Sequence, residues 1–231
     1  MHRYLKVILR WVLYIFIGFT GSSIFFVLLF AIVNPPITPL MIIRSVQESF
    51  QGEKVVLKKK WVSLQEISPA LQLAVVASED NRFLEHHGFD FDAIEKAKDF
   101  NDKKKGRRMR GASTISQQTA KNVFLWPQRS WVRKGLEAYF TILIELVWSK
   151  KRIMEVYLNV IETGKGIYGA EEAAQTYFSR SAKNLSPSES ALIAAILPNP
   201  LKWSPAHPTG YLLSRQQWIL WNMGNIGKLD Y

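Results

Sequence analysis

Two glutamates, Glu79 and Glu137, stand in surroundings that could put a carboxylate to chemical use. Glu79 ends an apolar stretch with helical spacing at Leu71 and Val75 and opens the run Glu79-Asp80-Asn81-Arg82-Phe83-Leu84-Glu85-His86-His87-Gly88-Phe89-Asp90. The negative end of a helix dipole and partial burial both disfavour an ionised acid at such a place, which suits a general base. A plain ion pair of Glu79 and Asp80 with Arg82 is the competing reading. Glu137 follows Arg133 by four residues and Lys134 by three, so on one helix two cations and a carboxylate share a face. On an open surface that arrangement is worth little; facing a cleft it is an anion clamp with an acid in its middle.

Between these acids lies Gly111-Ala112-Ser113-Thr114-Ile115-Ser116-Gln117-Gln118-Thr119-Ala120-Lys121-Asn122. Thr114 and Gln117, three apart, read as a helix start whose amides can cap, hold phosphate, or do both. Lys121, one turn beyond Gln117, can reach forward as a point charge. Separated acids with cations between them suit glycosyl chemistry, in which one carboxylate activates a hydroxyl and charge on a departing group is stabilised. A pyrophosphate leaving group is the kind that asks for cations. His86 and His87 do not read as a metal pair, because adjacent helical positions diverge by about 100° and no third ligand is evident.

The elements that must position these residues read mainly as helices. Ser68 caps a helix with Pro69 in its first turn, and further helices are expected over Trp131–Trp148, Lys151–Ile161, Ala170–Phe178, Pro187–Leu197 and Tyr211–Met223. Ser186 and Glu189 form a capping box for the fourth of these. Val55–Leu57 and Trp61-Val62, around Lys58-Lys59-Lys60, fit a small hairpin or an extended connection. Eight basic residues between Lys96 and Arg110 (Lys96, Lys98, Lys103, Lys104, Lys105, Arg107, Arg108 and Arg110) read as a solvated loop, which beside a pyrophosphate site could serve as a lid.

Trp11 to Val33 is a run of 23 residues whose only ionisable side chain is Tyr14, long enough for a transmembrane helix. Arg3, Lys6 and Arg10 precede it and the next basic residue is Arg44, which places the N-terminus in the cytoplasm. Asn34-Pro35-Pro36 breaks the run, and Thr38-Pro39 starts a juxtamembrane helix that Gly52 can close. Its Leu40, Met41, Ile42 and Ile43 are either core or a surface that dips among lipid headgroups. The expected organisation is a cytoplasmic N-terminus over 1–10, a membrane helix over 11–33, a juxtamembrane helix and linker over 34–54, and one globular domain over 55–231. The chain has no cysteine and a net charge of +11, so structural disulfides are excluded and anionic partners are favoured. The topology puts the basic domain on the wrong side of the membrane for DNA, and a nucleic-acid module needs no ordered acids; no nucleic-acid partner is expected.

These stretches, together with Ile153-Met154-Glu155-Val156-Tyr157-Leu158-Asn159, Gly164 to Gly169, and Ser188-Glu189-Ser190-Ala191 through Pro198-Asn199-Pro200, resemble the five ordered motifs of the peptidoglycan glycosyltransferases. Class A penicillin-binding proteins carry the same domain fused to a transpeptidase, for which the residues after Pro200 leave no room, so a monofunctional member is expected. The resemblance implies a mainly α, lysozyme-like domain behind one N-terminal membrane helix. It implies lipid II as donor and a growing lipid-linked glycan as the other substrate, joined by an inverting β-1,4 transfer that releases undecaprenyl pyrophosphate. Glu79 would be the base; Glu137, Ser113, Lys121, Arg129, Arg133 and Lys134 would hold the pyrophosphate, with Thr114 and Gln117 at the same helix start. A divalent cation, magnesium or manganese, would sit mainly on the substrate phosphates, and Glu137 would act directly or through it. Glu155, Asn159 and Gly166 match the fourth motif, although a packing role explains them equally well. Location in a bacterial inner membrane, with the domain in the periplasm beside other wall-building proteins, is the corresponding expectation. A lytic hydrolase of the same fold is the alternative, against which the cations around Glu137 count.

Overall fold

The structure, a computed structural model, describes residues 2–103 and 111–231, with side chains from Tyr4. It is mainly helical and falls into two compact units, residues 1–34 and 35–231. The first is a single helix, α1 (His2–Ile32), which starts well before the expected apolar run because Lys6 and Arg10 do not interrupt helical geometry. It is long and apolar enough to cross a membrane, and its side chains are largely exposed, unlike those of a soluble core helix.

The second unit begins with α2 (Pro39–Phe50), capped by Thr38, whose Oγ1 accepts from the Met41 amide at 3.4 Å. Gly52, at φ +70, ends it: the Gly52 amide donates to Ser49 and the Glu53 amide to Glu48, a Schellman closure that needs the left-handed conformation glycine takes without strain. The apolar run on α2 divides between the two expected roles. Leu40 and Met41 are buried, whereas Ile42, Val46 and Phe50 are exposed in an i, i+4, i+8 stripe.

Two groups of helices follow. α3 (Pro69–Glu79), α9 (Pro187–Ile196) and α10 (Gly210–Ile226) pack together, while α5 (Ile115–Phe124) packs on α6 (Trp131–Val147) and α7 (Lys150–Val160). Close approach in the first group follows from small residues: Ala74 and Ala77 of α3 and Ala191, Ala194 and Ala195 of α9 are fully buried. In α7, Ile153, Met154, Val156, Tyr157, Leu158 and Val160 have no exposed surface, so it is a central helix without a solvent face after its basic first turn. α8 (Ala170–Phe178) completes the helical core.

One local expectation is corrected, and a choice left open between a hairpin and an extended connection is resolved in favour of the second. Residues 96–103 of the basic run are helical, forming the end of α4 (Phe91–Lys103); Lys104, Lys105, Arg107, Arg108 and Arg110 lie outside the described residues. The Asp90 carboxylate accepts from the Ala93 amide at 2.9 Å and caps this helix, and Phe91, Ile94, Ala97 and Phe100 recur every three residues among the charges, with Ala97 buried. Lys58–Lys59 (β1) is not part of a local hairpin. It pairs in parallel with β3 (Ile167–Tyr168), which pairs antiparallel with β2 (Glu162–Gly164). Gly166, at φ +68, makes this possible: a Cβ there would lie 2.2 Å from the Val56 carbonyl oxygen. Asn159 and Glu155 serve the same junction. The Asn159 amide donates to Val62 O and accepts from Val62 N, both at 2.9 Å, and Glu155 accepts from the Leu64 amide at 3.2 Å. Their role is to pin the β1 segment to α7.

Candidate active site

Glu79 is the last residue of α3 and reaches into a cleft of about 850 Å³ between the two helix groups. The end of α3 is held from α10, where the Asn222 side-chain amide donates to the Ala77 carbonyl at 2.7 Å. The Glu79 carboxylate accepts from Ser78 Oγ at 3.1 Å and from Gln118 Nε2 at 3.0 Å, and Arg215 Nη2 lies 3.7 Å away. It does not pair with Arg82, which instead holds Glu85 at 2.7 Å and Asp92. The plainer reading of Glu79 as an Arg82 partner is therefore excluded.

Asp80, next in sequence, is buried and structural. Its carboxylate accepts from the Ile115 amide at 3.0 Å and from His86 Nε2 at 2.8 Å. The Gly88 amide donates to His86 Nδ1 at 3.1 Å, which leaves the ring proton on Nε2, directed at Asp80. Asp80, held by His86, thus joins the Glu79 loop to the start of α5.

That start is used internally. The Thr114 hydroxyl accepts from the Gln117 amide at 3.2 Å and donates to Gly88 O at 2.7 Å, while Gln117 Oε1 accepts from the Thr114 amide at 3.0 Å. With Ile115 N committed to Asp80, the helix end is occupied by capping, so Gln117 acts on the cap and does not line the Glu79 cleft; Thr114 lines it with its hydroxyl already engaged. The residue that faces the site is Gln118. Its Nε2 meets a carboxylate, which can only accept, so its Oε1 must accept from the Tyr157 hydroxyl, 3.2 Å away. Burial, reinforced by the charges of Glu79 and Asp80, pushes the Tyr157 phenol well above its ordinary pKa and keeps it a donor.

Gln118 and Pro198 also line a second chamber of about 350 Å³, on whose wall stand Lys121, Arg129 and Arg133. Gln118, Lys121 and Asn122 are the i, i+3, i+4 face of α5 that looks there. The Lys121 side chain makes no hydrogen bond or ion pair among the described residues, and burial pushes its ammonium below the ordinary lysine value, an effect that Glu137 opposes and Arg133 reinforces. Arg133 is 8% exposed and its Nη1 donates to Glu137 at 2.7 Å. Lys134 takes the other Glu137 oxygen. Glu137, 3% exposed, lines neither chamber. The pairing read from its spacing is present, but as a buried anchor that aims Arg133, since a carboxylate so enclosed has to be neutralised. Ser113 lies with Glu79 in the larger cleft, apart from the cations with which it was grouped.

Sequence reasoning missed Gln118, Arg215 and the aromatic side chains beside it. Tyr211, Arg215 and Trp218 occupy one face of α10 and line the Glu79 cleft, with Arg215 Nη2 donating to Ser78 Oγ at 3.0 Å. The i, i+4, i+7 spacing was visible, but nothing local tied that face to Glu79.

As to metals, the one acid on the chamber wall, Glu162, is engaged by Arg44, and Glu137 behind the wall by Arg133 and Lys134. No group of three or more potential protein ligands occurs among the described residues. This donor set suits an anion.

Residues 46–224 match the family described as Transglycosylase. The chain is 59% identical over 211 residues to the biosynthetic peptidoglycan transglycosylase of Bdellovibrio bacteriovorus, covering 91% of this chain and 84% of that protein. It is 58% identical over 230 residues to the protein of that name from Bacteroides thetaiotaomicron, covering 99% and 92%. With that of Cronobacter sakazakii the identity is 54% over 202 residues, covering 87% and 83%.

Proposed function

The chain belongs to the transglycosylase family, a lysozyme-like helical glycosyltransferase, and on that premise we propose that it extends glycan strands from lipid II with Glu79 as the base. Peptidoglycan synthesis implies an extracytoplasmic domain, and the single apolar N-terminal helix is compatible with an anchor. The finer reading places the N-terminus in the cytoplasm of a bacterium with an inner membrane and the domain in the periplasm, working beside other wall-building proteins.

The observation that carries the mechanism is the junction at Gln118, which joins the Glu79 cleft to the cationic chamber. In the proposed reaction a sugar hydroxyl of one chain enters beside Glu79 and gives up its proton to the carboxylate as its oxygen bonds to the anomeric carbon of the other. The bond from that carbon to the diphosphate breaks on the opposite face, and the electron pair leaves with the lipid diphosphate. Attack opposite the leaving group inverts an α-linked donor into a β-1,4 product. Lys121, Arg129 and Arg133 stabilise the charge that grows on the departing oxygen. Glu137 keeps Arg133 and Lys134 in place, and Tyr211 and Trp218 offer faces on which sugar rings can lie. A magnesium or manganese ion, where present, would be carried by the substrate phosphates and add charge neutralisation there.

The cationic chamber favours synthesis over hydrolysis, since water attack on a neutral glycan leaves no diphosphate to hold. Supplying the protein with lipid II in one reaction and with finished cell wall in another separates the two. Polymer from the first and no soluble fragments from the second is the expected result; the reverse would establish a lytic enzyme.

A further inference from the structure

We infer that Arg44, contributed by the helix that follows the membrane segment in sequence, is a binding residue for the lipid-linked diphosphate. It lies two residues before the part of the chain that matches the family. The inference rests on the proposed function, because it assigns the second chamber to that ligand.

Arg44 lines the same chamber as Lys121, Arg129 and Arg133, and Leu40, one turn earlier on α2, lines it too. α2 packs on α5, the helix that carries Lys121, so one face of α2 forms part of the wall. The Arg44 side chain is 30% exposed. Its Nε and Nη2 donate to the two oxygens of Glu162 at 3.0 and 3.2 Å, a parallel fork that fixes the plane of the guanidinium. A guanidinium has five N–H groups, and this fork uses two of them. The Nη1 edge makes no hydrogen bond among the described residues and remains able to donate to an anion while the ion pair with Glu162 stays intact. Glu162 is then an aiming group, as Glu137 is for Arg133. Four cations around about 350 Å³, against the single carboxylate of Glu162 on the wall, leave a surplus of positive charge. Leu40, Leu125, Leu197 and Leu201 supply apolar wall in the same space. A small polyanion joined to a hydrocarbon, a prenyl diphosphate, matches both features.

The test is binding of a prenyl diphosphate, the corresponding monophosphate and the prenyl alcohol to the full-length protein in detergent, with no turnover involved. Wild type, Arg44→Gln, Arg44→Lys and Lys121→Met are compared, with thermal melts in the same detergent. Arg44→Gln is expected to weaken the diphosphate roughly tenfold, the size of one charge-assisted hydrogen bond, and the monophosphate less, leaving the alcohol unchanged. Arg44→Lys should recover part of the loss. Diphosphate binding at the wild-type level in Arg44→Gln, with Lys121→Met weakened, would overturn the assignment of Arg44 alone. Equal weakening of diphosphate and alcohol would make Arg44 a structural tether and overturn it as well. If neither variant weakens the diphosphate, the chamber has been assigned to the wrong ligand and the underlying proposal falls with the inference.

Discussion

The groups pointing at the Glu79 carboxylate, namely Ser78 Oγ, Gln118 Nε2 and, more distantly, Arg215, are all donors, so the acid faces the cleft as an acceptor with its orientation set from both helix groups. Gln118 contributes most to that geometry because Tyr157 fixes its other end. Gln118→Leu keeps the size and removes both bonds, and a fall in kcat of about 10²-fold, with KM for lipid II little changed, is expected in steady-state polymerisation. Lys121 carries a different signature. In the proposed reaction its ammonium acts charged, and burial has lowered its pKa, so the contribution to binding expected of it is complete below that pKa and lost as pH rises through it, earlier than for an exposed lysine. A profile of prenyl diphosphate affinity against pH should show this alkaline limb in wild type, and Lys121→Arg should move it upward or remove it. Much of this was legible in the residues: Glu79 at a helix end, the Arg133, Lys134 and Glu137 triplet, and Lys121 one turn into a capped helix. What was not legible was which of two adjacent glutamines serves the cap. Gln117 at the third position of α5 satisfies the capping box, and this turns Gln118 outward to the site.

At the scale of elements, helix boundaries came through wherever a cap or proline marked them, as at Thr38-Pro39, Ser68-Pro69 and Ser186-Pro187. α4 was obscured because its lysines outweighed a three-residue apolar repeat and the Asp90 cap that precedes it. The small sheet was obscured for another reason: its parallel pair joins Lys58-Lys59 to Ile167-Tyr168, a partnership over more than a hundred residues that no local pattern encodes. Gly166 is the hinge of that partnership. Gly166→Ala would combine a disfavoured positive φ with a Cβ 2.2 Å from Val56 O, and a loss of roughly 1–3 kcal/mol in urea unfolding is expected. A midpoint equal to that of wild type would mean that the close approach is not part of the folded structure.

For the whole molecule, the arrangement divides labour between an apolar helix, α1, and a basic helical domain, four of whose cations line one chamber. The absence of cysteine permits a direct reading of topology. In spheroplasts, a membrane-impermeant maleimide should label Gln51→Cys at once and His2→Cys only after permeabilisation. Labelling of both, or the opposite order, would refute the expected orientation. Net charge and hydropathy suggested an anchored domain with anionic partners; they could not indicate that four cations line a chamber sharing Gln118 and Pro198 with the Glu79 cleft, because that depends on how α5 and α6 meet α3 and α10. The measurement that bears most directly on the whole account is the initial rate of lipid II polymerisation by Glu79→Gln beside wild type, with prenyl diphosphate binding measured on the same samples. A rate lowered by 10²–10⁴-fold with binding retained is predicted. Glycan made at the wild-type rate by the amide variant would contradict it.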